Sequence, residues 1–97
     1  MDLRYTTMKV DGNLIVFDFE ARQSVRRLVD TPPDTPFIEL DLSGCEFIDS
    51  AGIELLHRLH MKLKSRKGHL RLINANLTVR EVLDVCGVAT LMGVEMA

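Results

Sequence analysis

The sequence predicts a single α/β domain. It is built on a mixed sheet of four to five strands, an N-terminal antiparallel hairpin followed by parallel strands, with helices mainly on one face. Three observations carry this. After the first runs, β-rich and helical segments alternate, which implies parallel strands joined by crossover helices. Asp11-Gly12 stands between two β-rich runs, and a type I′ hairpin turn needs positive φ at both central positions. The later strands alternate apolar and polar residues, so only one of their faces is covered. Right-handed crossovers stepping one way along a sheet place every helix on the same side, in agreement. With 97 residues, one domain spanning 1–97 and one modest core are expected.

Residues 5–10 and 14–20 are read as the hairpin strands, although the alternation in the second is only partial. Residues 21–29 form a short helix, which Pro32, Pro33 and Pro36 stop. The run PFIELDLSG is a strand with Ile38, Leu40 and Leu42 inward and Phe37, Glu39 and Asp41 outward. Residues 51–66 form the strongest helix, its stripe made by Leu55, Leu56, Leu59 and Leu63, with Gly68 as its stop. In the next strand, HLRLIN, Leu70 and Leu72 point inward, which brings Glu39 and Asp41 near His69 and Arg71 on the polar face. Thr78-Val79-Arg80-Glu81 has the form of a capping box, opening a helix with Val79, Val82, Leu83 and Cys86 on its apolar face. Gly87 closes that helix, and LMGVEM adds a last short strand.

Composition narrows the function classes. Apolar residues make up 46% and charged residues 27%, an ordinary globular balance. A net charge of −2 does not suit nucleic-acid backbone, and 5% aromatics without Trp do not build base-stacking platforms, so no nucleic-acid partner is expected. No apolar run reaches membrane-span length and the first residues lack a signal-peptide block, so a cytoplasmic protein without a membrane partner is expected. Cys45 and Cys86 then read as reduced thiols. No Gly-rich phosphate loop or ligand cluster stands out, so neither nucleotide, other cofactor nor metal is expected, and the domain is read as a monomer.

The segment LDLSGCEFIDSAGIELL runs from strand through loop into helix and carries the most chemistry. Ser50 falls at or beside the helix N-terminus, after Asp49 and two residues before Gly52. A serine there can serve as the cap, worth about 1 kcal/mol. It can also be a modification site. A phosphate carries about −1.5 to −2 charges, which a helix N-terminus accommodates, whereas a docked partner surface does not.

FIDSAGIELL, preceded by LDLSG and followed by KGHLRLIN and VREVLDVCGV, resembles a STAS domain of the anti-sigma-factor antagonist family. The likeness covers residues 36–94. It implies a STAS-like fold and a phosphorylation-switched binding module in a bacterial partner-switching pathway that regulates transcription. By that resemblance, the unphosphorylated form binds a GHKL-type serine kinase that doubles as an anti-sigma factor. Phosphorylation of Ser50 releases it, and a PPM-type phosphatase reverses the mark. Ser50 matches the phosphoacceptor, Asp49 the preceding aspartate and Gly52 the motif glycine. The partner surface is expected on residues 43–50 and the first two turns of the next helix, with Glu46, Asp49, Ser50, Gly52, Ile53, Glu54 and His57 as contacts. Ile53 is included because it is apolar and falls off the leucine stripe. The family often has a second hydroxyl after the phosphoacceptor, where this chain has Ala51, and FEARQS replaces the family's signature after the second strand.

Rival readings are weaker. A hydrolase nucleophile elbow needs Gly two residues before the serine, where Ile48 stands, and His57 and His60 lie on the helix that Ser50 opens. No enzyme activity or catalytic residue is therefore expected. His57 and His60 are three apart, but no further ligand completes a metal set, and both read as solvated helix histidines. Arg58, Lys62, Lys64, Arg66 and Lys67 read as a solvated basic surface. The alternative within the same fold is a STAS regulatory subunit that binds the ATPase of an ABC-type lipid transporter. Its motif position often carries Thr followed by two glycines, which this chain lacks.

Overall fold

The computed structural model describes residues 4–97. The elements run β1 (Thr6–Asp11), α1 (Phe19–Asp30), β2 (Phe37–Gly44), α2 (Ser50–Ser65), β3 (His69–Ile73), α3 (Leu77–Val85) and β4 (Glu95–Met96). They form one four-stranded sheet of order β1-β2-β3-β4 in which every pair is parallel. Ile38, Leu40 and Leu42 of β2 and Leu70 and Leu72 of β3 are buried, as their alternation requires. They join Ala21, Val25 and Leu28 of α1, the four stripe leucines of α2, and Val79 and Leu83 of α3 in one core. On the opposite face Arg71 bridges Glu39 at 3.3 Å and also binds Glu95, while His69 lies 3.8 Å from Glu95. Asp41 instead accepts from the Ser43 N–H and from Asn74 Nδ2.

The expected antiparallel hairpin does not form. β1 pairs in parallel with β2, and of residues 14–20 only Leu14 makes a bridge, in parallel with Ile48. The polar residues of this stretch are committed to loop chemistry. Asn13 Oδ1 accepts from the Glu46 and Phe47 N–H groups, and Asp18 caps α1 by accepting from the Ala21 N–H. Asp18, which also accepts from the Asn13 N–H, is a local side-chain acceptor that competes with ladder pairing and wins where alternation is incomplete, while Asn13, just before this stretch, ties it to the distant loop. Helix α1 therefore starts at Phe19, before the expected start at residue 21, and runs to Asp30.

Two further signals resolve differently. Helix α3 is capped by Asn76, which accepts from the Val79 N–H, so Thr78 lies inside the helix and is not its cap. Beyond α2 the left-handed residue is Lys67, at φ 62°, not Gly68. A Cβ at Gly68 would stand 1.9 Å from the Pro36 carbonyl oxygen, so that glycine serves the close passage of two segments of the chain.

Candidate functional site

The site is the loop between β2 and α2 together with the first turns of α2. The loop is tied down from both sides. Leu14 donates to the Phe47 carbonyl at 3.1 Å and accepts from the Asp49 N–H at 3.1 Å. Asn13 holds the Glu46 and Phe47 N–H groups at 2.8 and 3.1 Å. From the far side Asn76 Nδ2 donates to the Cys45 and Glu46 carbonyls. Cys45 lies buried beneath, and its burial raises the thiol pKa above the ordinary value.

Asp49, not Ser50, is the cap of α2. Its Oδ1 accepts from Ala51 N–H at 3.0 Å and Gly52 N–H at 3.2 Å, and its Oδ2 from Val16 N–H at 2.9 Å. Burial opposes its charge, but the bonds from Val16, Gly52 and Ala51, with the nearby Arg22 cation, leave the carboxyl below the usual range. Ser50 is the first helical residue, is exposed, and makes no side-chain hydrogen bond among the described residues. The cap-only account of Ser50 is thereby removed.

The expected contact residues divide. Glu46, Ser50 and Glu54 are exposed, and Asp49 and His57 are half-buried. Glu54 pairs with Arg58 at 2.9 Å. Gly52 and Ile53 are corrections. Ile53 is only 6% exposed and belongs to the core, because the apolar face of α2 is wider than the leucine stripe. Gly52 is buried where α2 crosses the strand-like passage at Leu14. A Cβ there would lie 2.1 Å from the Leu14 carbonyl oxygen and 2.9 Å from Ile48 Cγ1. Its role is to let the two backbones meet, not to face a partner. His60 is a further correction, at 2% exposed and stacked edge-on against His69, with Nδ1 unpartnered.

Sequence reasoning missed Asn13, Val16, Arg22 and Asn76 at this site. Arg22 Nη2 donates to the Val16 carbonyl at 2.7 Å, anchoring the segment that Asp49 holds from the other end. Phe47 of the loop and Val16, whose N–H Asp49 holds, are exposed, as are Phe17, at 92%, and Phe19 beyond Val16 in the chain. The signal for Asn13 was its place after Asp11-Gly12, which the hairpin reading absorbed. Val16 and Arg22 left no distinct pattern.

The comparisons agree with this architecture. No curated protein sequence matches the chain. A protein of Thermotoga maritima assigned as an anti-sigma factor antagonist superposes with a TM-score of 0.80 at 19% identity, over 99% of this chain and 80% of that one. The anti-sigma factor antagonist SpoIIAA in its unphosphorylated form gives 0.68 at 20%, over 100% of this chain and 82% of that one. A sulfate transporter family protein of Wolinella succinogenes gives 0.78 at 17%, over 95% and 74%. At these identities the likeness establishes the fold. The STAS domain profile matches residues 5–97, nearly the whole chain, and the chain belongs to the STAS domain family.

Proposed function

We propose that this STAS domain is an anti-sigma-factor antagonist, a non-catalytic, monomeric binding module of the cytoplasm switched by phosphorylation of Ser50. The unphosphorylated form binds a GHKL-type serine kinase that acts as an anti-sigma factor. Phosphate on Ser50 releases it, and a PPM-type phosphatase restores binding. The observation that carries this reading is the division of labour at the head of α2. Asp49 caps the helix, so the adjacent exposed Ser50 hydroxyl has no structural duty. The first turn of α2 contains no acidic residue, and its N-terminus tolerates an added anion without loss of fold. Val16, bound to Asp49, and Phe47, three residues before Ser50, are exposed and give a partner apolar area to cover, with the exposed Glu46 and Glu54 as charged contacts.

The likeness to a sulfate transporter family protein favours a second reading, in which the same surface engages a transporter component. No helix among the described residues is long and apolar enough to cross a membrane. Phosphopeptide mapping distinguishes the two readings. Protein recovered from its native cells is expected to carry one phosphoryl group on Ser50 and none after Ser50→Ala. An unmodified Ser50 throughout growth and starvation, with a transporter subunit co-purifying, would favour the second reading.

A further inference from the structure

Beside the head of α2, between it and α1, lies a cavity of about 130 Å3 lined by Arg22, Arg26, Ala51, Glu54, Leu55 and Arg58. Its charges are three guanidiniums against one carboxylate, a net +2. Arg58 is already paired with Glu54. Arg26 makes no hydrogen bond or ion pair among the described residues, and the buried Nε of Arg22 has no acceptor. Arg22 spends Nη2 on the Val16 carbonyl, so Arg26 offers a whole unused guanidinium fork and Arg22 the donors that bond leaves over, groups suited to a tetrahedral oxyanion.

We propose that this cavity is the receiving site for the phosphoryl group of Ser50, held by Arg22 and Arg26 from α1 with Arg58 at its edge. The proposal rests on Ser50 being the phosphoacceptor. Ser50 directly precedes Ala51 and lies one helical turn before Glu54, and both of those residues line the cavity. Side chains four apart on a helix are about 5–6 Å apart at Cβ, within reach of a phosphoserine. A phosphoryl group of charge near −2 brings the cavity from +2 to about zero. Phosphorylation then alters the charge of the whole α1–α2 groove, and a partner that met a net positive cleft there meets a neutral one.

The test installs phosphoserine at position 50 during translation, so that it stands whether or not a kinase is found. The second ionisation of the phosphate, ordinarily near pH 6, is followed by 31P NMR in the folded chain and in the same chain unfolded in urea. The folded value is expected more than one unit lower, with Arg22→Gln plus Arg26→Gln raising it by about one unit, tenfold in proton affinity. Arg26→Gln alone, at an exposed residue without partners among the described residues, is expected to raise it measurably in a chain that keeps its fold. Arg27→Gln, on the same helix but outside the cavity, is expected to leave it unchanged. An unshifted folded value, or equal effects of Arg27→Gln and Arg26→Gln, overturns the proposal. The source of the oxyanion is tested with inorganic phosphate and the Nε–H resonances of Arg22 and Arg26. Saturable shifts that persist in the phosphoserine chain assign the cavity to a free anion and also overturn it. Loss of the response in the phosphoserine chain supports it.

Discussion

Because Asp49 and not Ser50 caps α2, the two neighbours should respond unequally to truncation. Asp49→Ala removes the acceptor of the Ala51 and Gly52 N–H groups, a cap loss of about 0.5–2 kcal/mol. It also frees the Val16 N–H, a bond to a charged acceptor at a half-exposed position, worth about 1 kcal/mol. The sum is about 1.5–3 kcal/mol, a fall in Tm of roughly 6–24 °C for a domain of this size. Ser50→Ala removes an exposed hydroxyl with no partner among the described residues and substitutes a better helix former, so its effect stays within about 0.5 kcal/mol. Urea denaturation followed by circular dichroism reads both, with the dependence on denaturant unchanged. A cost for Ser50→Ala equal to that for Asp49→Ala would refute the assignment of the cap and with it the free hydroxyl.

Three further outcomes follow from the packing. Gly52→Ala places a methyl group against the Leu14 carbonyl, and the backbone must move, so about 1–3 kcal/mol of stability is lost in the same urea assay; full stability contradicts the close approach. His60 is held neutral by burial and by the neighbouring His69, Lys64 and His57, which lower its pKa below 6.5. The unfolded chain then binds more protons, so this histidine's contribution falls as pH drops below about 6.5. His60→Leu should flatten the change in unfolding free energy between pH 5.5 and 7.5, and an unaltered slope counts against it. With a thiol-specific reagent, the exposed Cys86 should react in the native state and the buried Cys45 only on unfolding; two rapid native thiols contradict the placement of Cys45.

Much of the fold was legible because strict periodicity leaves few choices. Ile38, Leu40 and Leu42 alternate cleanly, and a one-residue slip would turn all three to solvent, so β2 and its inward face were readable. The leucine stripe fixed α2 in the same way. Residues 14–20 alternate only in part, and there the decision passed to Asn13 and Asp18, whose partners lie across the fold or a turn away. Asn13 meets Glu46 and Phe47 over thirty residues on, a contact without local trace. The position of Ser50 at the head of α2 was readable, but its freedom was not. Asp49 and Ser50 are both good caps, and only the observed bonds to Ala51 and Gly52 show which one took the role. Ile53 was misplaced because one turn of helix gives too short a pattern to separate rim from core. The arginine cavity lies between two helices distant in sequence and left no motif at all.

The central claim is that phosphate on Ser50 controls partner binding, and it is tested most directly by pull-down of the GHKL-type kinase with wild type, Ser50→Ala and Ser50→Asp. Ser50→Ala should bind as wild type does and take no phosphate, since Ala51 supplies no substitute hydroxyl. Ser50→Asp should keep its circular dichroism spectrum and bind roughly 100-fold more weakly, about 3 kcal/mol, from a charge placed against the docked partner. Equal binding by Ser50→Asp and Ser50→Ala, or phosphate still appearing on Ser50→Ala, would contradict the account.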